Sequence, residues 1–124
     1  MILIIGGAWQ GKRDFAVREF GLREEDIFSC TGTEIDFSAR CIDRLEEYVL
    51  ACVREGKDPL ARFEEQPEQW QDSVLICRDI SCGVVPMDEE MRLWRNETGR
   101  LCQYLASRAR RVSRIFCGLE QRLK

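Results

Sequence analysis

Histidine is missing from all 124 residues, and proline occurs only three times. Without imidazole, a zinc site would have to be built from thiolates and carboxylates alone. The seven cysteines, at 30, 41, 52, 77, 82, 102 and 117, do not supply one: their number is odd and no C-x-x-C pair occurs. Several fall inside apolar periodic runs, so they read as small buried hydrophobes with free thiols in a reducing compartment, and no metal site is expected. Long apolar runs are absent as well. After Met1 only Ile2 to Ile5 are large and apolar before Gly6-Gly7, too few for a signal peptide or a membrane span, which makes the cytoplasm the expected location. The chain also lacks a strong excess of one charge: a net of -3 creates no long-range field for nucleic acid or acidic lipid, so neither is an expected partner. Scarce proline and a moderate glycine content argue against disorder, and the length suits one domain over residues 1–124.

The hydrophobic pattern alternates between two periods. Ile2 to Ile5 is an unbroken apolar run, the signature of a strand buried on both faces, and the same pattern returns at Asp26 to Cys30, Ser73 to Cys77 and Val112 to Phe116. Between these, Phe15, Ala16 and Phe20 have helical spacing before Gly21. A longer stripe opens at Ser38 and runs through Cys41, Ile42, Leu45, Tyr48, Val49, Cys52 and Val53 to Gly56. The segment Lys57 to Asp72 is polar and reads as a loop with one short helix, anchored by Leu60, Phe63 and Trp70. A long helix begins at Asp88, Glu89 and Glu90, carries Met87, Met91, Trp94, Thr98, Leu101 and Leu105 on one stripe, and ends among Arg108, Arg110 and Arg111. This order predicts an α/β fold, a parallel sheet of about four strands flanked by helices. Ligands of such sheets sit at the carboxyl ends of the strands, which places Gly6 to Arg13, Thr31 and Asp79 along one edge.

The chemistry concentrates in Gly6-Gly7-Ala8-Trp9-Gln10-Gly11-Lys12, which satisfies G-x-x-x-x-G-K between a buried strand and a helix. In a P-loop of this type, glycines let backbone N–H groups curl around a phosphate, the lysine neutralises it, and the helix adds its dipole. The next residue is Arg13, where a catalytic loop has a Ser or Thr hydroxyl for Mg²⁺. A guanidinium can hold phosphate oxygens but cannot ligate a metal, so Mg²⁺-dependent transfer is in doubt while anion binding is not. Asp79 follows the third strand, where P-loop enzymes place a second acidic group; it equally suits a solvated loop or a cap. Trp9 suits stacking on a base or covering the edge of the core. The cluster Arg108, Arg110, Arg111 and Arg114 suits an anionic partner less well than a solvated helix end.

The opening MILIIGGAWQGK and the stretch from Ser73 to Lys124, with Gly83-Val84-Val85-Pro86 and Gly99-Arg100-Leu101-Cys102-Gln103, resemble the bifunctional adenosylcobinamide kinase/adenosylcobinamide-phosphate guanylyltransferases of cobalamin biosynthesis. The resemblance implies a nucleotide loop at Gly6 to Lys12, with Thr31 nearby and Asp79 where the family has Glu, a candidate catalytic pair in Lys12 and Asp79, and GTP or ATP as candidate ligand. It also implies a homo-oligomer. Arg13 replaces the family's Ser. The family's guanylylated histidine has no counterpart, so that half of the activity cannot operate by that chemistry, and the shortened region between Thr31 and Ser73 implies that the histidine helix and a strand are lost. Two functions follow as expectations: a nucleotide- or phosphate-binding relative of the kinase with weak or lost turnover, or a non-catalytic interaction or regulatory subunit that retains the fold.

Overall fold

The computed structural model describes residues 1–80 and 88–124. Six strands form one sheet: β1 (Ile2–Gly6), β2 (Ile27–Ser29), β3 (Cys41–Asp43), β4 (Val74–Arg78), β5 (Arg111–Phe116) and β6 (Leu119–Arg122). Their order is β2-β3-β4-β1-β5-β6. All neighbours are parallel except β5 and β6, which form an antiparallel hairpin. The α/β class is therefore as the sequence indicates, with two strands beyond the expected four.

The central strands explain the unbroken apolar runs. Along β1, Leu3 faces one core cluster while Ile2 and Ile4 face the other; along β4, Leu75 and Cys77 face the first while Val74 and Ile76 face the second. Both faces are covered, so alternation of polarity has no role there. Helix α1 (Lys12–Phe20) covers one face through Phe15 and Ala16. On the other lie α2 (Leu45–Glu55), α3 (Ala61–Glu65) and α4 (Glu89–Arg108).

Helix ends follow local chemistry. Gly21 and Gly56 close α1 and α2 in the left-handed conformation, as their positions suggest. Asp88 caps α4, its Oδ1 accepting from the Glu90 N–H at 2.7 Å. The stripe of α4 buries Thr98, Leu101 and Leu105, whereas Met91 and Trp94 are half-buried; Met87 and Gly83-Val84-Val85-Pro86 lie outside the described residues.

One expectation needs correction. The stripe assigned to one helix from Ser38 is a strand followed by a helix: Cys41–Asp43 pairs with both β2 and β4, and α2 starts only at Leu45. The region between Thr31 and Ser73 thus holds one strand, of three residues. Lys57 to Asp72 holds α3 and a single turn at Pro67–Gln69, and its anchors pack as expected, with Leu60, Phe63 and Trp70 all buried. Phe63 meets Tyr48 and Trp70 edge-on at 5.9 and 5.7 Å between ring centres. Both polar tips are satisfied: the Tyr48 hydroxyl donates to the Pro59 carbonyl at 2.7 Å and the Trp70 indole to the Phe63 carbonyl at 3.0 Å.

Candidate functional site

Strand β1 lies between β4 and β5, so the chain that leaves it emerges in the middle of the sheet's carboxyl edge. Gly6, its last residue, touches the neighbouring strand: a Cβ there would sit 2.5 Å from the Ile115 carbonyl oxygen, a distance no side chain survives. Its own carbonyl accepts from the Asp79 N–H at 2.7 Å, which joins the exits of β1 and β4. The segment Gly7 to Gly11 then turns into α1, with Trp9 (φ 62°) and Gly11 (φ 90°) in left-handed conformations.

Gln10 fastens this loop to the β5–β6 turn. Its carbonyl accepts from the Gly118 N–H at 2.9 Å and its side-chain oxygen from the Cys117 N–H at 2.7 Å. Trp9 is fully exposed, 99%, so it does not cover the core edge as one reading of the sequence held. No side chain caps the N-terminus of α1. The N–H groups of its first turn have no intrahelical acceptors, and Lys12, Arg13 and Asp14, which carry them, line a cleft of about 550 Å³. The Lys12 ammonium reaches back to the Gly7 carbonyl at 2.7 Å. Burial pulls its pKa below the usual lysine value, against the opposing pull of Glu46 and Asp43.

The opposite wall comes from Asp43, Arg44, Glu46 and Glu47, which sequence reasoning missed, and from Arg78, a charged residue that follows the apolar run Ser73 to Cys77. Asp43 ends β3 and Arg78 ends β4, while Glu46 stands in the first turn of α2. Glu46 is 6% exposed; its carboxylate accepts from the Arg78 N–H at 2.8 Å, and its backbone carbonyl accepts from the Trp94 indole at 2.7 Å. The Arg78 guanidinium lies over the Trp94 ring, 5.7 Å from its centre. A signal for these residues existed only in the topology: charged groups at strand ends converge once β3, β4 and β1 are known to be adjacent.

Arg13 lines the cleft and is also engaged within the chain. Its guanidinium is clasped by Glu24 at 3.1 Å and Asp43 at 3.4 Å, and donates to the Ser29 hydroxyl at 3.2 Å. It ties α1 to the ends of β2 and β3 instead of being directed solely at a ligand or idle in solvent. Asp79 is placed one residue beyond β4 and lines a smaller cavity of about 200 Å³ with Ile5, Arg78, Arg95, Thr98 and Cys102, apart from the Lys12 cleft. Thr31 is exposed beyond β2 and is not among the cleft residues. The structure thus brings together Ala8, Trp9, Gly11, Lys12 and Arg13 of the expected set, and separates Asp79 and Thr31 from them.

The comparison with protein families is decisive for kinship. The model of the cobinamide kinase / cobinamide phosphate guanyltransferase family matches residues 46–123, more than half of the chain. The chain belongs to that family. The matched part begins at Glu46, so the family assignment rests on α2 to β6, and the glycine loop lies upstream of it. No curated protein matches the chain.

The hydroxyl that follows the lysine in a catalytic glycine loop has no counterpart after Lys12. The position after Lys12 offers a guanidinium engaged with two carboxylates, one of which is Asp43. Among the described residues no group of three acidic or thiol side chains is arranged to hold a metal ion. Of the arginine cluster, Arg111 pairs with Glu19 and Glu120, and Arg108 lies over the Tyr104 ring at 5.3 Å.

Proposed function

We propose that the cleft between the glycine loop and α2 binds a phosphate-bearing ligand, with GTP or ATP as the expected form, and that the chain is a kinase-like member of the cobalamin pathway with weak or lost turnover. The observation that carries this reading is the uncapped N-terminus of α1 opening on a cleft that also holds the half-buried Lys12 ammonium. First-turn N–H groups, the helix dipole and one ammonium together favour a dianion. In this arrangement the loop amides and Lys12 orient and neutralise the phosphate, while Arg78 stands on the opposite wall. The family's name supplies a corrinoid acceptor for phosphoryl transfer. Guanylylation through histidine has no residue to carry it, since the chain contains none.

The acidic wall favours a second reading. Asp14, Asp43, Glu46 and Glu47 share the cleft with Lys12, Arg13, Arg44 and Arg78. A triphosphate must displace or tolerate these carboxylates, which supports the alternative of a non-catalytic interaction or regulatory subunit, working as a homo-oligomer. In either case the six described cysteines are free, in accord with a reducing cytoplasm. Among the described residues no helix is long and apolar enough to cross a membrane.

Titration calorimetry with GTP and ATP, with and without Mg²⁺, separates the two. Binding that is independent of Mg²⁺ and abolished by Lys12→Ala supports the first reading. Silence at millimolar nucleotide from folded protein refutes it in favour of the second.

A further inference from the structure

The smaller cavity, beside Asp79, has a chemistry of its own. Its volume is about 200 Å³, and part of its wall is one face of α4, where Thr98 and Cys102 stand four residues apart and are therefore neighbours. Thr98 is 3% exposed, and its hydroxyl has no hydrogen-bond partner. Buried hydroxyls are ordinarily paired, so one left single on a cavity wall marks a place for a small polar guest.

Behind Cys102 stands a second thiol. Cys77, the penultimate residue of β4, is fully buried and lies in register with Ile5, another residue of the cavity. Its S–H has two acceptors in reach, the Arg78 carbonyl at 3.6 Å and the Cys102 sulfur. Donation to Cys102 holds that thiol's pKa below the ordinary value, against burial and the charges of Asp79 and Glu46, while the pKa of Cys77 is driven well up. The pair is thus divided between a half-buried thiol on the cavity wall that gives up its proton more readily and a protonated neighbour behind it. Burial pushes the thiols of Cys30 and Cys41 up to about 12, which makes them inert references within the same chain.

We propose that this cavity is a peroxide-reactive site, in which Cys102 attacks hydrogen peroxide and Cys77 resolves the product to a Cys77–Cys102 disulfide that staples β4 to α4. In the first step the Cys102 sulfur takes one peroxide oxygen and the O–O bond breaks. The other oxygen leaves as water with the Cys102 proton, and the Thr98 hydroxyl donates to it as it departs. In the second step the Cys77 sulfur displaces the hydroxyl from Cys102, and the Cys77 proton leaves with that hydroxyl as a second water. The two thiols lose two electrons and the peroxide is reduced by them. Sulfurs already in hydrogen-bond contact have only to close to about 2.05 Å to be joined. In reducing surroundings such a bond is transient and registers oxidant. The volume admits peroxide and excludes a bulky disulfide such as oxidised glutathione.

Mass spectrometry of the intact chain, titrated with hydrogen peroxide, alkylated and then cut with trypsin, tests this. Cleavage after Arg78 puts Cys77 and Cys82 on separate peptides. The peptides of Cys77 and Cys102 should appear joined, less two hydrogens, while Cys30 and Cys41 are alkylated as thiols. Oxidised glutathione at the same concentration should join them more slowly. Cys77→Ser should stop at a Cys102 sulfenic acid that dimedone traps. Thr98→Val keeps the shape of the side chain and should slow disulfide formation about fivefold, the effect of one lost hydrogen bond, with thermal unfolding unchanged or raised. Peroxide that leaves Cys102 a thiol, or that joins it to Cys82 in preference to Cys77, overturns the proposal. So does a folded Thr98→Val that is oxidised at the parental rate. None of these readouts uses nucleotide, so the phosphate cleft stands or falls separately.

Discussion

Glu46 is the most informative residue to perturb, because it serves the fold and the cleft through different atoms. Its carboxylate receives the Arg78 N–H at 2.8 Å in a site 6% exposed, and its charge acts on Lys12. Truncation in Glu46→Ala leaves a partly buried N–H at the end of β4 without an acceptor, a loss of about 1–3 kcal/mol. Glu46→Gln keeps an oxygen in place and exchanges a charge-assisted bond for a neutral one, about half as strong, so it should cost roughly 1 kcal/mol or less. For a chain of this size each kcal/mol moves the midpoint of thermal unfolding by roughly 3–5 °C, which puts the alanine variant about 3–15 °C below the parent and the glutamine variant within about 5 °C. Binding should move the opposite way. Removing a carboxylate from an anion site relieves repulsion, so Glu46→Gln should bind inorganic phosphate or nucleotide more tightly than the parent, by several-fold at low salt and less at high salt. Differential scanning calorimetry and titration calorimetry on the same samples measure both effects. Equal destabilisation by the two variants would refute the hydrogen-bond argument. Weaker anion binding by Glu46→Gln would refute the cleft as an anion site.

Gly6→Ala should destabilise by about 3 kcal/mol, since its Cβ must push against backbone at the Ile115 carbonyl; chemical denaturation measures it, and a neutral result would remove the close approach of β1 and β5 as the reason for glycine. Phe63→Ala should cost about 3–5 kcal/mol by opening a cavity beneath Tyr48 and Trp70, with loss of near-ultraviolet circular dichroism from the aromatic cluster. For Lys12 the sign follows from burial. Its free-state pKa lies below the ordinary 10.5 and a bound phosphate favours the ammonium, so anion affinity should fall as pH rises through that lowered value, with proton uptake on binding at and above it. Calorimetry in buffers of different ionisation enthalpy reads the proton uptake; affinity that stays flat as the pH passes 10.5 would exclude Lys12 from the site.

The parallel core was legible because its strands are buried on both faces and read as apolar runs bounded by Gly6, Gly21 and Gly56. β3 was not. Cys41, Ile42 and Leu45 have the spacing of a helix start, and a three-residue strand is too short to impose a period of its own. β6 was missed for a different reason: its residues are exposed and polar, and the turn before it is Cys117-Gly118, without the Asn-Gly or Asp-Gly signal. The glycine loop and Lys12 were visible as a local motif. Asp43 and Glu46 were not, because only the pairing of β3 with β4 and of β4 with β1 brings them to the same cleft. Arg13 was visible but its partners were not, since Glu24 and Asp43 belong to other segments.

The flanking of β1 by β4 and β5 has a bearing on how the chain comes off the ribosome. β1 waits for partners that begin at Val74 and Arg111, so its apolar residues stay unpaired until those segments are made. Gln10 waits longer still, for Cys117 and Gly118. Maturation of the glycine loop is therefore a cooperative event that the β5–β6 hairpin completes, and a nascent product stalled before that hairpin would carry the glycine loop in its sequence but lack the turn that fastens it.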